Sequence, residues 1–401
     1  MFRAASAALV RPTETPGPEN PRTTHTGCTM RIRTLTPTFR HTASTTGAFV
    51  AILGCAQVSQ PGLASTSPTV STEGFYHYAT YSTRPMIEAH TVSFALDRID
   101  QHDLPLDHTY RHQDTGRGVT VYVFDGGISD THPELAGRVR RGYTAFPGDP
   151  LICNAHGTAV AGAIAGKTLG VAPDAQIVDV KMVQCEKLRG TIRGIVDGAR
   201  WVILDHRAHP GPAVANWSFI ADTAARIPAL DSAVAALRAA GIPVVVSAGN
   251  VDINACRVSP GNAEGTIVVG ASAVTREVEE DGRVRTVDRR ADDTAWGPCV
   301  DLYAPGDSVL LPSLDRDQQP TMQLWNGTSM SAGYVSGAAA LYLEDHPTAS
   351  PNVVAAHLRH TATLNTVRDA RSPFSRMLYV GPEGGPVQLK SVAQLRAEMR
   401  Q

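Results

Sequence analysis

Val119-Thr-Val-Tyr-Val-Phe124, followed at once by Asp125-Gly126-Gly127-Ile128, is the stretch on which the fold turns. The run is β-branched and aromatic nearly throughout and stops at a glycine pair, which predicts a short strand buried on both faces. Such strands belong to parallel sheets covered by helices on either side. Runs of the same kind recur at Gln176-Ile-Val-Asp-Val-Lys-Met-Val183, Ala213-Val-Ala-Asn-Trp217, Ile242-Pro-Val-Val-Val-Ser247, Ile267-Val-Val269 and Val300-Asp-Leu-Tyr303. Between them, Thr191–His206 and Ile227–Ala240 carry apolar residues at three- and four-residue spacing, as helices do. The alternation predicts an α/β fold with a central, mostly parallel sheet and its site at the strands' carboxyl ends. The charged segment Arg276–Arg290 centres on Asp281-Gly282 and is expected to be a solvated hairpin.

Outward from this core the text changes. Residues 1–29 are rich in Pro and Thr without periodicity, and read as non-structural or as lying upstream of the true start. From Met30, the arginines 31, 33 and 40 precede the apolar Gly47-Ala-Phe-Val-Ala-Ile-Leu-Gly54 and then Cys55, the pattern of an export signal over 30–56. Ile52-Leu53-Gly54-Cys55 fits either an ordinary cleaved leader or a lipobox whose cysteine is acylated; a short buried helix is the plainer alternative. Residues 57–93 suit a linker or short pro-segment, the patterned domain is expected over 94–380, and 381–401 forms a C-terminal tail.

Of the 401 residues 42% are hydrophobic, enough for a sizeable core, and Lys+Arg (36) nearly balance Asp+Glu (38) for a formal charge of −2. No basic excess supports a nucleic-acid partner. Apolar runs long enough to span a bilayer, about 18 residues or more, are absent from the sequence. The six cysteines are Cys28, Cys55, Cys153, Cys185, Cys256 and Cys299, with no CxxC pair. The last four suit two long-range disulfides of an oxidising compartment better than a zinc ribbon, with reduced buried thiols as the alternative.

Three motifs concentrate chemistry. Asp125 ends the first strand, His156-Gly-Thr-Ala-Val-Ala-Gly162 opens a small-residue helix, and Gly327-Thr-Ser-Met-Ser-Ala332 opens another through Ser329. Alone, each is explained as a cap or a hydrogen-bonded core residue. Together they make a device. A serine hydroxyl is a weak nucleophile until an imidazole removes its proton, and the imidazole needs a carboxylate to fix its tautomer. Ser247-Ala248-Gly249-Asn250 adds an amide at a strand's carboxyl end, the donor that a tetrahedral oxyanion requires.

In the order Asp, His, Ser, these motifs resemble the subtilisin-like serine proteases, and within them the proteinase K subgroup. Leu96-Asp-Arg-Ile-Asp-Gln101 with Leu104-Pro-Leu-Asp107 is similar to that subgroup's mature N-terminus, and the likeness runs from about residue 94 to Val380. The resemblance implies the three-layer subtilisin-like fold and an exported, monomeric endopeptidase acting on peptides without a cofactor in its chemistry. It implies Asp125 as the orienting carboxylate, His156 as general base then acid, Ser329 as nucleophile, and the Asn250 side chain with the Ser329 N–H as oxyanion hole. Ser218, Phe219 and Ile220 would lay a substrate strand in antiparallel pairing, and Ser247, Ala248 and Gly249 would line the pocket before the scissile bond. It also implies disulfides Cys153–Cys185 and Cys256–Cys299, and a structural calcium at Asp301 with carbonyls near Glu264 and Thr266; a salt-bridged surface aspartate is the alternative at Asp301.

Some positions depart from that pattern. Gly126 stands for a small hydroxyl residue, Ala159 for a frequent second histidine, Phe219-Ile220-Ala221 for glycines after Ser218, and Gly333 for a proline in the nucleophile helix. The stretch from Cys55 to Phe94 is short for the folding-assisting pro-segment usual in the family. The altered wall motivates an alternative, a weakly active peptide-binding surface protein on a subtilisin scaffold; acyl transfer to an amine is a third reading.

Overall fold

The computed structural model describes residues 87–221 and 225–382. The leader reading at 30–56 with Cys55, the N-terminal stretch with Cys28, the linker up to residue 86 and the tail beyond residue 382 lie outside the described residues.

The eleven-stranded central sheet is built mainly from β1 (Thr120–Asp125), β2 (Val139–Thr144), β3 (Gln176–Lys181), β4 (Ala213–Trp217), β5 (Val244–Ser247), β6 (Ile267–Val278), β7 (Val284–Arg290) and β8 (Leu302–Pro305), with three two-residue strands completing it. Seven of these run parallel in the order β2-β3-β1-β4-β5-β6-β8. β7 returns antiparallel on β6, with Val278 opposite Val284 around the Asp281-Gly282 turn, as the charge-rich segment predicts. The expected strand at Val300–Tyr303 sits two residues later, because Val300 N–H closes a turn on Gly297 and the ladder to β6 begins with Asp301 N–H on Val268 O.

Alternation in β1 divides the core in two. Val121 and Val123 face one layer with α1 (Phe94–Ile99), α2 (His156–Ala165) and α5 (Thr328–Asp345). Tyr122 and Phe124 face the other, with α3 (Ile192–Ala208) and α4 (Pro228–Ala239). The three-layer α/β architecture expected from the sequence is therefore the one observed. α6 (Pro351–Thr361) packs on α5. A hairpin of β9 (Val309–Leu314) and β10 (Pro320–Trp325) leads into α5, and strand Ile87–His90, ahead of the expected start at Phe94, pairs with Thr109–His112.

Two polar ties join elements far apart in the chain. One Glu344 carboxylate oxygen, in the last turn of α5, accepts the backbone N–H groups of Thr115 (2.7 Å), Gly116 (2.7 Å) and Arg117 (3.1 Å), in the loop that feeds β1. Arg98 of α1 makes a two-pronged, fully buried ion pair with Asp288 of β7, at 2.8 Å from Nε and 2.7 Å from Nη2. Disulfides join Cys153 to Cys185 and Cys256 to Cys299 across 32 and 43 residues. Each such closure contributes about 4 kcal/mol in the chain-entropy account.

Candidate active site

β1 ends at Asp125, and β4 and β5 run on into Ser218 and into Ala248-Gly249-Asn250, so three neighbouring strands deliver their next residues to one rim of the sheet. Asp125 is buried there, one carboxylate oxygen taking the Gly126 N–H at 2.7 Å. The His156 ring, on the first residue of α2, places Nδ1 at 2.8 Å and 3.0 Å from the two Asp125 oxygens. This close approach needs Gly157. A Cβ there would stand 2.6 Å from the Gly127 carbonyl and 3.0 Å from Asp125 Cβ.

With Nδ1–H committed to the carboxylate, Nε2 is the ring's acceptor. Burial alone would lower the pKa of this imidazole, but the Asp125 charge and hydrogen bond outweigh it and hold the pKa above the ordinary 6.5. The edge of Trp325, the last residue of β10, meets the ring at 6.2 Å between centroids.

Ser329 lies in the first turn of α5 with a helix N-terminus behind it, favourable to developing negative charge. Its hydroxyl donates to the Ser218 carbonyl at 3.3 Å, and among the described residues no hydrogen bond joins it to His156. Apo catalytic hydrogen bonds are often open in this way and close around substrate. Ser218 answers in kind, its Oγ donating to the Ser329 carbonyl at 3.1 Å while accepting from Asn216 Nδ2 at 2.8 Å. Asn216 in turn receives the Ser336 hydroxyl at 2.9 Å, so a buried polar chain ties β4 to α5 behind the serine.

Asn250 is oriented by its partners. Its Oδ1 accepts the Thr328 N–H and hydroxyl, both at 2.9 Å, and only an oxygen can accept from a backbone amide. The Nδ2 group is thereby turned toward the Gly327–Ser329 corner. Gly327 has φ +131°, and a Cβ there would meet that Nδ2 at 2.8 Å, so the position is reserved for glycine.

Phe219 stacks on Trp217, 5.4 Å between centroids, and its carbonyl receives the Ser247 hydroxyl at 3.4 Å. The segments 218–220 and 247–249 thus face each other beside Ser329. Asn216, Thr328 and Trp325 join the site without having been expected from the sequence. Asn216 carries a usable signal, a lone amide inside an otherwise apolar strand, which demands a buried partner.

Asp301 does not fit the calcium expected there. One oxygen accepts Arg359 Nε at 2.8 Å and the other the Val268 N–H at 2.8 Å. The Glu264 carbonyl faces Arg238 Nη1 at 3.5 Å, so guanidinium groups, not an open oxygen cage, meet these candidate ligands.

A helix-flanked parallel sheet that gathers an aspartate, a histidine and a serine at its carboxyl rim defines a class of three-layer α/β scaffold. The chain belongs to the subtilase family, whose model matches residues 116–378. It is 39% identical over 292 residues to an extracellular serine proteinase of Thermus sp. (strain Rt41A), covering 72% of this chain and 66% of that one. It is 35% identical over 288 residues to alkaline serine exoprotease A of Vibrio alginolyticus, covering 71% and 50%. The chain thus spans between half and two thirds of the length of these relatives. A solved cold adapted subtilisin-like serine proteinase superposes with a TM-score of 0.63 at 35% identity, covering 73% of this chain and 99% of its own. Among the described residues no helix is long and apolar enough to cross a membrane.

Proposed function

We propose that this chain is an exported serine endopeptidase that hydrolyses peptide bonds through an acyl-enzyme. The observation that carries the reading is the paired Asp125–His156 contact, at 2.8 Å and 3.0 Å, on the same sheet rim as Ser329 and the Thr328-anchored amide of Asn250.

A rotation about the Ser329 Cα–Cβ bond exchanges the Ser218 carbonyl for His156 Nε2. The hydroxyl proton then passes to Nε2 as Oγ bonds the scissile carbonyl carbon, and the carbonyl oxygen becomes an oxyanion. Asn250 Nδ2–H and the Ser329 N–H stabilise that charge, a contribution aimed at the transition state. The imidazolium, steadied by Asp125, gives its proton to the departing amine nitrogen as the carbon–nitrogen bond breaks. Water, deprotonated by the same imidazole, attacks the ester carbon, and the imidazolium returns that proton to Oγ as the carbon–Oγ bond breaks. No step needs a metal or cofactor. Backbone groups of 218–220 would pair with an extended substrate, so recognition depends little on sequence beyond the pocket.

Two disulfides support action outside a reducing compartment, and relatives named as extracellular proteinases agree with that. We read the working species as a monomer. The hydroxyl's bond to Ser218 favours a second reading, a peptide-binding protein with little turnover. One experiment separates them. A fluorophosphonate probe should label the wild type and not Ser329→Ala, and peptide hydrolysis should vanish with the same substitution. Equal labelling, or hydrolysis that survives, sinks the peptidase reading.

A further inference from the structure

We propose that Ile220 fills the acyl-side specificity pocket and restricts this enzyme to glycine, alanine or another very small residue before the scissile bond. The proposal rests on the peptidase reading above and goes beyond it by naming the substrate class.

A carbonyl carbon attacked by Ser329 with its oxygen toward Asn250 fixes the next atom of the substrate. The α-carbon on the acyl side must lie between segment 218–220 and segment 247–249, and its side chain must enter the gap between them. On the Gly249 side that gap holds carbon already. Ile220 Cδ1 and Cγ2 both lie 3.1 Å from the point where a Gly249 Cβ would stand, tighter than ordinary van der Waals contact. A branched alkyl group therefore covers the very glycine whose missing side chain would open a deep slot.

The segment carrying Ile220 is pinned on both sides. Ser218 exchanges hydrogen bonds with Ser329, and Ala221 N–H donates to the Ser259 carbonyl at 2.9 Å. The Phe219 ring is held on Trp217, and its carbonyl takes the Ser247 hydroxyl. Swinging the isoleucine clear would require one of these anchors to yield. Exclusion by occupied volume is the usual way a pocket rejects a larger side chain.

The test compares kcat/KM for peptide substrates that differ only in Gly, Ala, Leu or Phe before the cut, using the full chain with its disulfides intact. Ile220→Gly and Ile220→Ala are assayed beside the wild type, with fluorophosphonate labelling and thermal melting on each. The wild type should favour Ala over Phe by at least tenfold. Ile220→Gly should raise the Phe-to-Ala ratio of kcat/KM ten- to a hundredfold, with Ile220→Ala in between. A wild type that cleaves Leu and Phe as well as Ala overturns the proposal. So does a Phe-to-Ala ratio unmoved in variants that still label and melt as the wild type does. If the wild type neither labels nor hydrolyses any substrate, the peptidase reading has failed as well. Labelling with Ala cleavage but an unmoved ratio condemns Ile220 alone.

Discussion

On the peptidase reading, His156 sets the pH response. Because the Asp125 partnership keeps its pKa above 6.5, activity should climb with pH over an interval displaced upward from that of a free imidazole, as the ring loses its proton. Asn250→Ala should lower kcat by about 10²–10³, the scale known from the equivalent donor in a subtilisin, and leave the midpoint of that rise in place. A midpoint that moved with Asn250→Ala would mean the amide acts on the imidazole, not on the oxyanion. Asp125, His156, Ser329 and Asn250 are legible in the sequence because each sits in a small local signature of glycine and hydroxyl residues at an element's end. The residues that aim them are not. Asn216 and Thr328 each have a partner about 80 to 120 residues away, at 2.9 Å. No local pattern encodes such a pairing, which appears only once the sheet has closed.

Helices α2 and α5 carry His156 and Ser329, and their approach is set by small residues. A Cβ on Gly333 would come within 2.9 Å of Ala163 Cβ, so the glycine that stands where the family pattern has a proline lets the two helices touch. At the far end of α5, Tyr342 stacks on His357 of α6 at 4.0 Å and on His346 at 4.2 Å. Burial first, and then the neighbouring His346 and His360, lower the His357 pKa from 6.5 to about 4. The folded state therefore refuses a proton that the unfolded chain accepts, and stability is lost as pH falls from about 6.5 toward 4. His357→Gln should flatten that fall in the unfolding midpoint; an unchanged pH dependence would assign it to other groups. Elements with strong apolar runs announce themselves to within a residue or two of their true ends, except that β6 runs on nine residues past Val269 into the hairpin. β2, with Val139-Arg-Arg-Gly-Tyr-Thr144, does not, because an edge strand pairs on one side and keeps polar residues. The β9–β10 hairpin is hidden for a similar reason, since β10 is exposed along most of its length.

Across the whole molecule the long ties decide cohesion. Arg98 and Asp288, 190 positions apart, fasten α1 to the outlying strand β7, and both are shut away from solvent. Arg98→Ala would strand a buried carboxylate and should cost about 3–5 kcal/mol in chemical denaturation, whereas replacing both partners with matched apolar residues should cost far less. Equal losses from the two changes would refute this account of the pair. The Glu344 clasp bears on a different question, the engineering of this scaffold. One oxygen gathering three amides couples the far end of the nucleophile's rod to the root of the strand that ends in Asp125. Lengthening or trimming the turn around residues 115–117 is therefore not a remote surface edit. It is a lever on the spacing of attacker and base, and grafted loops are better placed elsewhere.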